Sequence, residues 1–147
     1  MDQLDKLISK YAGLVVLAVA LCFLLKGDLF CWDLWLLSLQ ILSLCLVIYS
    51  RLQFGTQQFR PVAEPGTAPL IIRGPYRVIR HPVYAGVLLF LLLSVLGHVS
   101  FLNAAVWSVA LLVVLRRISI EEQLLRRRYP EYPEYQRQTQ RLIPFVF

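Results

Sequence analysis

Residues 73–86 read Arg-Gly-Pro-Tyr-Arg-Val-Ile-Arg-His-Pro-Val-Tyr-Ala-Gly, and the apolar run Val87 to Leu96 follows at once. This junction constrains the fold more than any other stretch. Proline fixes φ and biases the residue before it away from helix. Gly74-Pro75 and His81-Pro82 therefore set two bends around a short arm carrying three arginines, one histidine and two tyrosines. Guanidinium groups, a ring nitrogen and hydroxyls are held at the edge of an apolar body. The rest of the chain has to hold that arm against a lipid-facing pocket.

The apolar content explains what the body is. It reaches 58%, above the usual ~45–50% of soluble domains, and it is blocked rather than periodic. The expected fold is all-α: a single integral membrane domain over residues 1–147, long enough for one domain. Four transmembrane helices are expected at about 8–25, 30–50, 82–97 and 99–117, with a cytoplasmic helix and tail over 118–147. Met1 to Lys10 reads as a short surface helix. Trp32, Trp35 and Tyr49 sit near the ends of the second span, where interfacial aromatics belong. The last two spans are short. About fifteen helical residues reach ~22 Å against a hydrocarbon core of ~30 Å. Pro82, the turn Gly97-His-Val-Ser100 and the snorkelling Arg116-Arg117 add length. A cleavable signal peptide is disfavoured, because no small-x-small site follows the first run. Core helices of a soluble domain are disfavoured by the apolar turn and the two preceding spans. Cys22, Cys31 and Cys45 are too few and too scattered for a disulfide framework or a metal site.

Charge sets the orientation. Lys6 and Lys10, five arginines from Arg51 to Arg80 and seven from Arg116 onward put 14 of the 15 basic residues on one face; only Lys26 lies opposite. By the positive-inside rule that face is cytoplasmic. The chain is expected to be multi-pass in a prokaryotic inner membrane, with both termini and the arm in the cytoplasm. Basic residues beside apolar spans argue against a nucleic-acid partner.

The tail is the second candidate region. Arg117 and Glu121 share a helix face, as do Glu122 and Arg126; by themselves these are two surface ion pairs. Tyr129-Pro-Glu-Tyr-Pro-Glu-Tyr135 is expected to break the helix and places three phenols within seven residues, with interfacial packing as the plain alternative. Glu64-Pro-Gly-Thr-Ala-Pro69 reads as a turn cluster, and Arg141-Leu-Ile-Pro144-Phe-Val-Phe147 as an apolar peg that docks on the body. His98, in the turn on the far side, reads as incidental. There is no phosphate loop, metal-ligand spacing, GxGxxG or nucleophile–base pair. Cationic and aromatic groups on the arm, with carboxylates and phenols on the tail, suit a zwitterionic cofactor with an amino-acid end, a ribose and a flat base. Group transfer from such a donor needs mainly proximity and alignment.

Gly74-Pro-Tyr-Arg77, Arg80-His-Pro-x-Tyr84-x-Gly86, an apolar hairpin, Glu121-Glu122, Tyr132-x-x-Tyr135 and Arg141-Leu-Ile-Pro144 occur in this order. Over residues 70–147 this pattern resembles the isoprenylcysteine carboxyl methyltransferase and phospholipid methyltransferase group of integral membrane enzymes. The resemblance implies S-adenosylmethionine as methyl donor, held in a cytoplasmic site between the 70–86 arm and the carboxyl-terminal helix. It implies a lipophilic small-molecule or lipid-anchored acceptor that enters from the bilayer. It assigns Tyr76, His81, Tyr84, Glu121 and Glu122 to the cofactor. Arg80 falls to catalysis, by orienting the acceptor or the cofactor carboxylate. Arg117 is a second catalytic candidate and Arg77 and Tyr135 are candidates for the acceptor; for these three and Tyr76 a structural role in closing the site stands equally. Glu122→Ala and His81→Ala are then expected to abolish cofactor binding and leave the protein folded. Gly86 reads as a close-packing position. The chain departs from the family at Tyr129-Pro130, where an aromatic-glycine pair is common, and its amino-terminal half matches in hydropathy alone.

The implied activity is isoprenylcysteine carboxyl O-methyltransferase-like. Methylation of a phospholipid amine, or of a small lipophilic thiol or acid, stands beside it. Sterol reductases have a related carboxyl-terminal half, so an NADPH-dependent membrane reductase is another class to test, as is a non-catalytic membrane protein that keeps the fold.

Overall fold

A computed structural model describes residues 3–53 and 70–144. Five helices form: α1 (Gln3–Lys26), α2 (Leu34–Leu52), α3 (Pro82–Gly97), α4 (Phe101–Arg128) and α5 (Tyr132–Gln138), with a 3-10 turn at Gly74–Arg77 before α3. No named strand occurs among the described residues; a single parallel bridge joins Ile79 to Gln140. Two helices are long and apolar enough to cross a membrane, Leu34–Leu52 and Phe101–Arg128, and Pro82–Gly97 is apolar but shorter. The turn cluster at 64–69 and the last three residues of the peg lie outside the described residues.

One helix boundary differs from expectation. The amino-terminal charged stretch is not a separate surface helix: from Gln3 it runs on into α1 without a break, since nothing between Leu4 and Lys26 stops a helix. The second helix starts at Leu34. Asp33 caps it, accepting the backbone N–H groups of Trp35 and Leu36 at 3.0 and 3.1 Å, which satisfies donors that a helix start leaves open.

Helix α2 packs along α3, α3 against α4, and α4 against α1. One apolar core joins Val19 and Phe23 of α1, Leu91 and Val95 of α3 and Ala110 of α4. A second joins Leu88, Val114 and Ile118 to Leu142 of the tail, so the peg docks through Leu142. Polar side chains are buried among the apolar ones, and many large apolar side chains face outward. Gln40, Ser43, Ser50, Ser94 and Asn103 are buried, whereas Leu14, Leu17 and Leu21 of α1, Ile41, Leu42 and Ile48 of α2, and Leu112 of α4 are exposed. A continuous exposed apolar band of this kind fits a lipid surroundings.

Several of the buried polar groups tie elements together. Gln40 Nε2 donates to Leu29 O at 2.9 Å and to Ser94 Oγ at 3.0 Å, and Gln40 Oε1 accepts from Cys31 N. Gly86 lets α3 approach α2: a Cβ there would fall 2.6 Å from Val47 Cγ2 and 2.9 Å from Ser43 O. At the far end, Asp28 pairs with Lys26 at 2.9 Å and accepts from Asn103 Nδ2 at 3.0 Å. His98 is not incidental there. Its Nδ1 lies 3.7 Å from Asp28 and its Nε2 3.0 Å from Phe30 O, so it clasps the α3–α4 turn to the α1–α2 loop. The opposite end carries the arm.

Candidate functional site

The arm takes its shape from its glycine and prolines. Gly74 sits at φ +58, a left-handed conformation that costs glycine little, and Pro75 opens the 3-10 turn. Pro82 opens α3, with His81 as the residue before the helix. His81 makes no side-chain cap bond; its ring stacks on Tyr84 with centroids 5.7 Å apart and 23° between planes. The arm backbone is joined to the tail. Arg80 N donates to Gln140 O at 2.7 Å, His81 N to Arg141 O at 3.1 Å, and Gln140 N to Val78 O at 3.0 Å.

Three side-chain groups result. The first centres on Glu122, 2% exposed. Arg80 Nε donates to its Oε1 at 2.9 Å; Arg141 donates to Oε2 through Nε at 3.1 Å and Nη2 at 2.9 Å. His81 Nε2 lies 3.4 Å from Oε1 but is buried without a hydrogen bond. Arg80 Nη1 also donates to Gln136 O at 3.1 Å and to Thr139 O. The second group lies beside it. Tyr84 Oη donates to Glu121 Oε2 at 2.9 Å and accepts from Arg117 Nε at 2.7 Å, with Glu121 and Arg117 half-buried. In the third, Tyr135 Oη donates to Tyr76 O at 2.7 Å.

Glu122 lies ~10 Å along α4 from Leu115, at 1.5 Å per residue, past Arg116 and Arg117 and in the arginine-rich end of the helix. Burial alone would raise its carboxyl. The His81 ring and the Arg80 guanidinium facing it outweigh burial and hold it at about 2. Burial pushes the Tyr135 phenol up to about 12 and carries Tyr76 and Tyr132 above the ordinary range. These phenols are donors at neutral pH, not bases. The site is built to hold charge and shape, and group transfer by alignment suits it.

Eight of the nine residues singled out from sequence fall into these groups: Arg80, His81 and Glu122; Tyr84, Arg117 and Glu121; Tyr76 and Tyr135. Arg77 stands apart, exposed at the end of the 3-10 turn. The expected surface pair between Glu122 and Arg126 does not form. Glu122 turns to the arm and tail, and Arg126 Nε donates to Gln136 Oε1 at 2.7 Å. The tail after Tyr129 does break α4, but it starts a new helix. Pro133 sits in the first turn of α5, and Tyr132 is 1% exposed with a buried, unpartnered Oη. It is a packing residue, not a presented phenol. Sequence reasoning missed Arg141 and the carbonyls of Gln136 and Thr139. A backbone acceptor has no sequence signal; the signs of Arg141 were its place at the head of an apolar peg and in the Arg141-Leu-Ile-Pro144 motif.

A family model described as phospholipid methyltransferase matches residues 32–132, which takes in α2, the arm, α3 and α4. No curated protein and no solved structure matches the chain. With more than half of its residues matched, the chain belongs to the phospholipid methyltransferase family, a family of membrane methyltransferases.

Proposed function

We propose that this protein transfers the methyl group of S-adenosylmethionine to a lipid-borne acceptor at the cytoplasmic face of a membrane. The observation that carries the reading is the Tyr84–Glu121–Arg117 set, half-buried and next in the chain to the buried Glu122 group. Its donor chemistry fits the two ends of such a cofactor. Glu121 offers a carboxylate to an ammonium or to ribose hydroxyls, Arg117 a guanidinium to a carboxylate, and the stacked Tyr84 and His81 rings a π-face to a base or a sulfonium. The unpartnered buried Nε2 of His81 is a further polar atom on that wall. When bound, S-adenosylmethionine supplies an electrophilic methyl group.

The chain's own residues bind, align and exclude water. Arg117 and Glu121 fix the cofactor ends, while Glu122, Arg80 and the tail hold the wall rigid. Arg80 is then a framework residue as much as an orienting one, because its Nε and Nη1 are already engaged. Four spans with both termini in the cytoplasm agree with the charge asymmetry and with the helix connections. The short 27–33 and 98–100 segments share one end, and the arginine-rich segments share the other. An acceptor dissolved in the bilayer would approach between spans.

The matching family model favours a phospholipid amine as first acceptor to try. The test is calorimetric titration of the purified protein with S-adenosylhomocysteine and with NADPH. Labelled donor is then offered with vesicles of an aminophospholipid, with a prenylcysteine analogue, and with small lipophilic thiols and acids. Binding of S-adenosylhomocysteine and labelling of one acceptor class is the expected result. NADPH binding alone would replace the reading with a reductase, and binding of neither in nanodiscs with a non-catalytic protein.

A further inference from the structure

The Glu122 carboxylate is divided between two segments far apart in the chain. Oε1 takes Arg80 of the arm, and Oε2 takes both donors of Arg141 in the tail. The residues around Arg141 are bonded to the same two elements. Gln140 and Arg141 pair with the arm backbone, Thr139 and Gln136 accept from Arg80, and Leu142 is buried against Leu88, Val114 and Ile118. Glu121, one residue before Glu122, accepts from Tyr84 in the group that the proposed function assigns to the cofactor. Without Arg141, Oε2 would lose both donors, and a buried carboxylate would be free to turn away from the arm. Arg137, only four residues earlier, has no such place: it is 76% exposed and pairs with Glu134 at 2.8 Å on the surface.

The geometry points to Arg141 as a positioning residue that docks residues 139–142 onto Glu122 and thereby couples tail docking to cofactor affinity. The coupling half rests on the S-adenosylmethionine reading; the docking half does not. Such coupling is reciprocal. If a docked tail raises affinity for the cofactor, the cofactor must raise docking by the same factor. A merely structural ion pair has no such consequence.

The test uses the full chain in lipid nanodiscs, as wild type, Arg141→Gln, Arg141→Lys and the control Arg137→Gln. Hydrogen exchange is read at the amides of Arg80, His81 and Gln140, which report the arm–tail pairing directly, with and without S-adenosylhomocysteine. Affinity is read by calorimetry. Without ligand, Arg141→Gln should speed exchange at these three amides about tenfold, as expected for a locally opened unit, and leave α1 and α2 unchanged. Its affinity for S-adenosylhomocysteine should fall on the order of tenfold, within the usual range of couplings between sites. Arg141→Lys, which keeps the charge with one donor group, should recover part of both effects, and Arg137→Gln should change neither. In the wild type the ligand should slow the three amides. If Arg141→Gln does not fold, the lysine variant carries the comparison. Unchanged exchange in the Arg141 variants overturns the docking role. Faster exchange with undiminished affinity reduces Arg141 to a structural pair. If the wild type binds no S-adenosylhomocysteine, the donor reading and the coupling fall together, while ligand-free exchange still decides whether Arg141 docks the tail.

Discussion

Replacing Glu122 by alanine separates a cofactor contact from a residue that holds the site together. The carboxylate is buried and faces Arg80, whose side chain is 10% exposed, and Arg141, 34% exposed. Removing one partner of a buried pair typically costs ~3–5 kcal/mol, because the remaining charge is left uncompensated. Arg141 can turn to water, and Arg80 keeps its carbonyl acceptors, so the low end of that range applies. The proton equilibrium gives a similar size. A carboxyl held at about 2 against an ordinary 4.5 corresponds to ~3 kcal/mol at neutral pH. The sign follows from the direction. The folded value is lowered, so the stabilisation is fully present above pH 4.5 and is lost as pH falls through about 2. The assay is denaturant unfolding in detergent for wild type and Glu122→Ala from pH 7 down to pH 2. The variant should be ~3 kcal/mol less stable at pH 7, with the gap closing below pH 4.5. Equal stability at pH 7, or a gap that stays constant down to pH 2, would refute the reasoning. It would restore the plain reading of Glu122 as a ligand contact dispensable to the fold.

Three further outcomes are expected. Tyr84→Phe removes the hydroxyl shared by Glu121 and Arg117, and hydrogen bonds to charged groups are worth ~1.5–3 kcal/mol. Calorimetry should show S-adenosylhomocysteine affinity reduced by at least tenfold, and denaturant unfolding a stability loss of about the size of one such bond. Gly86→Ala places a methyl group into Val47 and the Ser43 carbonyl, and overpacking of this kind costs ~1–3 kcal/mol. It should lower thermal stability, and normal stability would mean that α2 and α3 can separate there. A carboxyl-terminal reporter that works only in the cytoplasm should be active, and activity of its outward-acting counterpart instead would invert the topology.

The elements were largely legible because membrane helices announce themselves by blocks of apolar residues, and Pro82 and the turn at 97–100 mark their own boundaries. The arm was legible for a related reason: Gly74, Pro75 and Pro82 restrict their own backbone whatever surrounds them. The Tyr84–Glu121–Arg117 grouping required knowing that α3 and α4 lie side by side, which an apolar hairpin implies. What was not legible is contact made across long sequence separation by groups without a distinctive type. Arg141 is one of 15 basic residues, and nothing in its spacing from Glu122 marks it as a partner. Tyr132 looks like any interfacial phenol until α5 turns its ring inward. Glu122 and Arg126 satisfy the helix spacing rule, but a buried carboxylate is better compensated by two arginines than by one exposed neighbour.

That last comparison explains why the site sits where it does. A carboxylate left alone at the end of an apolar bundle would carry a large desolvation cost. Here the cost is offset only when the arm, α4 and the tail are together, since each contributes one group to the same carboxylate cluster. The three segments are separated in the chain by an apolar hairpin and a helix break, so no local rule brings them together; a shared buried charge does. The consequence is an all-or-none wall. With Glu122 paired on both oxygens, Glu121 and the His81–Tyr84 stack are held in register. With either arginine absent, the arm, the tail and the Glu121 group lose part of their common anchor at once. A site of this kind should fail cooperatively: single losses at Arg80 and Arg141 should each cost nearly as much as the pair, and a double-mutant cycle between them should be strongly non-additive.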